Sequence, residues 1–140
     1  MRADEDEATR ELRQYFIEAA RIGDTETITD DVLVEAQPVY DSEDDLIGYI
    51  YLGVENGYNP DVTLEVAVYL DGTVSSAVVL SHDETPGTSD PGFDAISEFI
   101  GKTDLSEVSS DVYAGATYTG DAVRAIISAA QNHVLEREGA

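Results

Sequence analysis

Small residues and hydroxyls are concentrated in one stretch near the end of the chain, Asp111-Val112-Tyr113-Ala114-Gly115-Ala116-Thr117-Tyr118-Thr119. The stretch lies just before the last helical pattern, where the first N–H groups of a helix lack intrahelical partners and the helix dipole is positive. A phosphate or phosphodiester would be held by these amides. Thr117 lies close enough to the expected anion for its hydroxyl to be the covalent partner.

A second motif, His82-Asp83-Glu84-Thr85-Pro86-Gly87, precedes the first by about thirty residues. It resembles the H-x-E-T-P-G loop of the FMN-binding domain in the RnfG and NqrC subunits of membrane electron-transport complexes. The stretch from Asp111 to Thr119 resembles that family's D-x-x-S-G-A-T-x-T flavinylation motif. The Gly57-Tyr58 pair and the Asp71-Gly72 turn fall in the same order as in the family. The resemblance covers about residues 48–134, and the first forty residues match weakly.

The resemblance implies that FMN is attached to Thr117 through a phosphodiester, by a separate FAD-dependent flavin transferase that recognises the motif. Glu84 and Thr85 are expected to hydrogen-bond the flavin ring and tune its potential, with a surface loop ordered by Pro86 as the alternative. Tyr113 and Tyr118 are candidates for stacking on the ring, but packing is the favoured interpretation for each, because tyrosines beside a turn usually pack. The implied cofactor-binding set is Asp111, Ala114, Gly115, Ala116, Thr117, Tyr118, Thr119, Glu84, Thr85, Pro86 and Gly87.

Three positions depart from the family pattern. Ala114 stands where serine is usual, Thr88 where leucine is preferred, and Gly120 replaces a frequent serine. The acceptor hydroxyl, the Gly-Ala turn and Asp111 remain. Because a serine hydroxyl is missing at position 114, we expect a weaker hydrogen bond to the phosphate and less efficient flavinylation.

The residues around Thr117 suit the implied chemistry. Gly115 can adopt backbone angles closed to other residues and allows a close approach to a ribityl phosphate. Arg124, about one turn into the helix, is the nearest cation in sequence and is expected to offset the phosphodiester charge. The negative charge of Asp121 opposes this effect. His82 is expected to be structural, and His133 to be a surface residue that compensates the helix dipole.

Charge bounds the function. Seven Lys and Arg against thirty Asp and Glu give a net charge of −23, which excludes nucleic acid and anionic membranes as partners. Free FMN, a dianion, would also be repelled, so a covalent link removes the need for equilibrium affinity. Self-repulsion on this scale is tolerated when salt screens it, and a high-salt origin is the leading explanation, with an acidic surface that only keeps the protein in solution as the alternative.

The sequence lacks the residue types and motifs that several other kinds of functional site require. The chain has no cysteine, and therefore neither disulfides nor thiolate chemistry. It has no G-x-S-x-G elbow, P-loop or Rossmann glycine pattern. Two separated histidines give no transition-metal set, and the acidic run at 41–45 lacks the EF-hand glycine and terminal glutamate. No apolar run reaches the roughly 20 residues of a membrane span, and the first ten residues are not a signal peptide.

The pattern of elements predicts an α+β domain, with a mainly antiparallel sheet of about five strands and three helices. One domain is expected over residues 1–140, with 1–7 as a frayed lead-in. Helices are predicted at 8–22, 90–101 and 119–136. In the second helix Asp90 is expected to be the N-cap, and the buried face is expected to consist of Phe93, Ile96, Phe99 and Ile100. Strands are predicted at 32–36, 38–40, 46–54, 62–70 and 73–81, and loops at 25–31 and 81–89. Residues 102–111 are expected to be irregular, with a strand possible from Val108.

The Asp71-Gly72 hairpin raises a question of register. A strict two-residue turn pairs Val66 with Ala77 and sets the more apolar face of one strand against the weaker face of the other. Either a bulge adds a residue, or both faces of the sheet are partly covered, and we favour the second.

These expectations lead to an electron-transfer domain that carries covalent FMN on Thr117. It would relay electrons between redox partner proteins of a membrane complex, on the extracytoplasmic face. Because relatives have an N-terminal span, this chain is expected to be a segment of a longer protein, with no membrane insertion of its own. A non-redox acidic binding module of the same fold is the main alternative. A flavodoxin-like enzyme with loosely bound FMN is the third.

Overall fold

The computed structural model describes residues 7–138, and side chains from Arg10 to Arg137. The predicted lead-in therefore lies outside the described residues except for Glu7, which begins a helix. The elements are α1 (Glu7–Leu12), β1 (Arg21–Ile22), β2 (Glu26–Thr27), β3 (Leu33–Tyr40), β4 (Leu46–Glu55), β5 (Val62–Tyr69), β6 (Val74–Ser81), α2 (Asp90–Asp94), α3 (Ile96–Phe99) and α4 (Thr117–Glu138). Two 3-10 turns, Leu105–Glu107 and Ser110–Tyr113, lie between α3 and α4.

The strands form one antiparallel sheet in the order β1-β3-β4-β5-β6, and the two-residue β2 pairs with another part of β3. Helical segments occur in the three predicted regions, and the α+β fold is confirmed. No helix among residues 7–138 is long and apolar enough to cross a membrane.

Both faces of the sheet are covered. Helix α4 packs on one face, where Leu64, Val66 and Val68 meet Ile126 and Ile127 in the larger buried cluster. A smaller cluster covers the opposite face, with the members Phe16, Ala19, Val39, Ile50 and Ala67. Successive strand residues point to opposite faces, so adjacent Val66, Ala67 and Val68 are all buried.

The hairpin combines the two possibilities for its register. Val66 lies opposite Ala77 as predicted, but Val68 lies opposite Val74, so one extra residue of β6 forms a bulge near the turn. A bulge and two covered faces therefore coexist, and the bulge increases the local twist under α4.

The predicted N-terminal helix and the loop after it are wrong in extent. Helix α1 ends at Leu12, turns follow, and Ile22 lies in β1 against β3. Phe16 and Ala19 are buried in the second cluster as the helical spacing required, but turns and not a helix place them there. Residues 25–31 include β2, since the edge of β3 offers unpaired N–H and C=O groups.

The second helical region also differs from prediction. It is broken into α2 and α3 at Ala95, Ile100 is exposed, and Ser89 rather than Asp90 is the N-cap. The strand considered from Val108 is absent from the described segment, because that part of the chain forms 3-10 turns. The last helix begins at Thr117, two residues earlier than predicted, which places the motif threonine in its first turn.

Candidate functional site

The start of α4 is formed by a tight turn. Gly115 has φ +93°, in the left-handed region that favours glycine, and a Cβ built there would meet no described atom within 4 Å. The carbonyl of Ala116 accepts a hydrogen bond from the Gly120 N–H at 2.8 Å, so Ala116 caps the helix. Thr117 follows as the first helical residue and is exposed. Thr117 and Tyr118 are thus exposed at a helix start, where backbone N–H groups lack intrahelical partners and can bind an anion.

A cleft of about 150 Å³ opens beside Thr117. It is smaller than the roughly 300–1,000 Å³ of typical ligand pockets, so it can enclose part of a cofactor rather than the whole. Among the described residues, no lysine, arginine or histidine lines it. The lining residues are Tyr58, Glu84, Thr85, Thr88, Ser89, Gly115, Ala116, Thr117, Tyr118 and Thr119. The two sequence motifs thus meet at one cleft.

Glu84 joins the two sides of the cleft. Its side chain is 5% exposed, and Oε1 accepts hydrogen bonds from the Tyr58 N–H at 2.8 Å and the Thr119 hydroxyl at 2.6 Å. Its second oxygen, Oε2, accepts from the Asn59 N–H at 2.8 Å. The carboxylate that was expected to bond the flavin ring is therefore bonded by three protein donors, and its observed contacts are structural.

The hydrogen bonds keep Glu84 ionised. Burial alone raises the pKa of a carboxyl group, but the Thr119 hydroxyl and the Asn59 and Tyr58 amides outweigh it and lower the pKa of Glu84. The nearby His82 acts in the same direction. A negative charge therefore lies within the cleft beside the first turn of α4.

Two exposed tyrosines stand at the mouth of the cleft. Tyr58 is 75% exposed and Tyr118 is 65% exposed, and their ring centroids are 5.8 Å apart with the planes inclined by 57°. Tyr118 was a predicted stacking candidate, whereas Tyr58 was noted only as part of a Gly-Tyr pair. The available signal for Tyr58 was a bulky aromatic residue within a polar turn sequence, Asn56-Gly57-Tyr58-Asn59-Pro60.

Some of the predicted site residues do not line the cleft. Asp111 and Ala114 are exposed outside it, so the alanine at position 114 does not alter the cleft wall. Pro86 and Gly87 belong to the turn before α2, where Gly87 has φ +84° and its N–H donates to Asp90 Oδ1 at 3.2 Å. Thr88 and Ser89 line the cleft and were not predicted to do so.

Two other residues around α4 make structural contacts. Tyr113 is 1% exposed and its hydroxyl donates to Asp121 at 2.7 Å, so it packs inside the fold, the favoured interpretation, and does not stack on a ligand. Arg124 does not line the cleft. Its guanidinium donates to the carbonyls of Leu105 and Val108, and thereby fixes the 3-10 segment against α4.

Glycines allow close contacts beneath the cleft. A Cβ at Gly120 would overlap the Tyr113 ring, so the serine that is frequent at this position in the family pattern would not fit this packing. A Cβ at Gly57 would overlap the Glu84 carboxylate, so glycine there lets the Tyr58 amide reach Oε1. At Gly92 a Cβ would lie 2.8 Å from the Gly120 nitrogen, where α2 meets α4.

The two histidines differ in position. His82 Nδ1 accepts the Glu84 N–H at 3.0 Å and its ring lies 4.4 Å from that of Phe93, in keeping with a structural residue. His133 was expected to be a surface residue acting on the dipole. It is instead partly buried, with Nδ1 at 2.9 Å from the Tyr51 hydroxyl.

Comparison with known proteins gives one family. The family model described as "FMN-binding domain" matches residues 57–132, more than half of the chain. The match begins at the Gly57-Tyr58 turn and includes every residue that lines the cleft. No curated protein matches the chain significantly.

Proposed function

The chain belongs to the FMN-binding domain family of the RnfG and NqrC type, and from that premise we propose that it carries FMN in a phosphodiester to Thr117. Membership supports a flavin-binding role in electron transfer. When bound, FMN supplies one-electron or two-electron chemistry. The chain's own residues hold and orient the cofactor.

The placement of Thr117 carries the proposal. Its hydroxyl is exposed in the first turn of α4, directly after the turn at Gly115, and faces a cleft that the second motif completes. The N-terminal amides and the positive end of a 22-residue helix favour a phosphodiester there.

The charges at the cleft favour a covalent link over simple binding. Glu84 is ionised, no described cation lines the cleft, and the net charge is −23. These charges oppose the equilibrium binding of a free dianion. A bond to Thr117 keeps the flavin in place despite the repulsion.

The attachment step is a phosphoryl-group transfer from FAD by a flavin transferase. The Thr117 oxygen forms a bond to the phosphorus of the FMN half and loses its proton, the pyrophosphate bond of FAD breaks, and AMP leaves. We further propose that the flavinylated domain exchanges electrons with partner proteins of a membrane complex, on its extracytoplasmic side.

Intact-mass measurement after co-expression with a flavin transferase tests the attachment. The expected adduct equals FMN less one water, and Thr117→Ala should abolish it. Thr88→Ala is the matched control, because Thr88 is also an exposed cleft threonine but lies outside the helix start. An adduct that persists in Thr117→Ala, or a colourless and unmodified wild type, would overturn the proposal. Yellow protein that releases all its flavin on denaturation would indicate the non-covalent alternative.

A further inference from the structure

The pair of tyrosines at the mouth of the cleft is unusual for its exposure. Aromatic rings normally bury most of their large apolar surface, yet Tyr58 and Tyr118 expose 75% and 65% while touching each other. They come from distant parts of the chain, the turn after β4 and the first turn of α4. Their proximity is therefore a product of the fold.

One carboxylate sets the position of both rings. Glu84 Oε1 accepts from the backbone N–H of Tyr58 itself and from the hydroxyl of Thr119, the neighbour of Tyr118. A further hydrogen bond, from Asn59 Nδ2 to the Asp83 carbonyl at 2.6 Å, ties the Tyr58 turn to the Glu84 loop. The backbones beneath the two rings are thus held by a shared set of hydrogen bonds, although the rings remain exposed.

We propose that Tyr58 and Tyr118 form a clamp for the isoalloxazine ring. The inference rests on the proposed function, because Thr117 anchors the cofactor one residue before Tyr118. The cleft is too small for a whole FMN, so part of the cofactor lies outside it, and the clamp assigns the flat ring system to the mouth, where the tyrosines lie. In the proposed clamp the flavin ring lies flat on one tyrosine and meets the other with its edge, an arrangement that the 57° inclination of the two planes favours. Both contacts are favourable aromatic geometries.

Riboflavin is the probe that isolates the clamp from the phosphate. It has the same ring but lacks the phosphate, so it carries no phosphate charge and cannot form the phosphodiester to Thr117. Riboflavin is titrated into the Thr117→Ala protein, and binding is followed by quenching of its fluorescence. In that background Tyr58→Leu and Tyr118→Leu should each weaken binding by about fivefold or more, as loss of one stacking residue does. Tyr58→Phe and Tyr118→Phe should bind nearly as the parent, because the ring and not the hydroxyl makes the contact.

Tyr40→Leu is the matched control for removal of a tyrosine. Tyr40, the last residue of β3, packs under Arg21 and does not line the cleft, so riboflavin binding should not change. Unchanged affinity in both cleft leucine variants would overturn the clamp, as would equal losses in Tyr40→Leu or failure of the parent protein to bind riboflavin. Far-ultraviolet circular dichroism checks that each variant is folded.

A second measurement separates this inference from the attachment at Thr117. In the flavinylated protein, Tyr58→Leu and Tyr118→Leu should keep the adduct mass but fluoresce severalfold more strongly, because a quenching ring has been removed. An adduct with unchanged fluorescence overturns the clamp and leaves the attachment intact. Tyrosine-dependent riboflavin binding without any adduct overturns the attachment and leaves the clamp intact.

Discussion

Glu84 is the side chain on which the geometry of the cleft depends most. A carboxylate that is almost fully buried is costly unless donors surround it, and here two amides and one hydroxyl do so. The contacts connect the turn after β4, the loop before α2 and the first turn of α4. Loss of the charge should therefore loosen three segments together.

Glu84→Gln is expected to lower the free energy of unfolding by about 2 kcal/mol at pH 7, the value of a hydrogen bond to a charged group. The glutamine amide keeps the size of the side chain but presents an NH2 group to a backbone N–H. Urea unfolding measures the loss. Glu98→Gln, the same change at an exposed residue of α3, should alter stability by less than about 0.5 kcal/mol.

The pH dependence of the Glu84 contribution has a definite sign. The folded-state pKa is lowered from the ordinary value of 4.5, so the ionised group stabilises the fold above that value. The contribution is lost as pH falls through the lower folded-state pKa. The stability difference between wild type and Glu84→Gln should therefore shrink on acidification below pH 4.5. A difference that stays constant to the onset of acid unfolding would contradict this role.

At the scale of elements, the turn into α4 needs a residue that tolerates positive φ. Gly115→Ala should cost about 1–2 kcal/mol from backbone strain alone, because a Cβ there meets no described atom within 4 Å. The strain can be relieved by moving the start of the helix, which displaces Thr117. We expect the yield of the FMN adduct on Thr117 to fall with the stability.

Gly101→Ala is the control for that variant. Gly101 has φ +85° and equally open surroundings, but it lies outside the cleft, so the same strain should leave the adduct yield unchanged. Equal yields in the two variants would show that the Gly115 turn does not position Thr117. Thermal unfolding and intact mass are measured on the same samples.

The sequence was sufficient to predict elements whose signal is local. Alternating β-branched residues around the Asp71-Gly72 turn predicted β5 and β6, and the apolar spacing from Ala122 to Val134 predicted α4. The prediction of a long N-terminal helix was wrong because Phe16 and Ala19 are buried by tertiary contact with the second face of the sheet. Their spacing in the sequence also suits the buried face of a helix. The two-residue strands β1 and β2 exist because β3 offers an edge, which no local pattern records.

At the candidate site, the motifs predicted which two segments meet but not the contacts between them. The bond from Thr119 to Glu84 joins residues 35 positions apart, and the overlap of a Cβ at Gly120 with Tyr113 depends on how a 3-10 turn packs on α4. Such contacts follow from the packing of elements. For the same reason Arg124, close to Thr117 in sequence, has its guanidinium on the carbonyls of residues 105 and 108.

At the scale of the whole molecule, charge is unevenly distributed along the chain. No lysine or arginine occurs between Arg21 and Lys102, and that interval supplies most of the sheet and one side of the cleft. Arg21 pairs with Asp44 and Arg137 with Glu26, while Arg124 donates to carbonyls and to the Tyr113 hydroxyl. Each of these guanidinium groups is engaged with its own hydrogen-bond or ion-pair partner, so the negative charge of the surface as a whole is little neutralised by cations.

The folded state should therefore gain stability from salt. Raising NaCl from 0.1 M to 1 M shortens the Debye length from about 10 Å to about 3 Å, which screens repulsion between surface carboxylates more than it weakens buried contacts. We expect the melting temperature to rise by several degrees across this range, measured by circular dichroism at pH 7.

A variant with Asp31→Asn, Asp94→Asn and Glu98→Gln, all exposed positions, should be more stable at 0.1 M and gain less from salt. Glucose at matched osmolality controls for general solvent exclusion. A melting temperature that is unchanged or lower at 1 M NaCl would show that self-repulsion does not limit this fold, and would remove the physical basis for a high-salt origin.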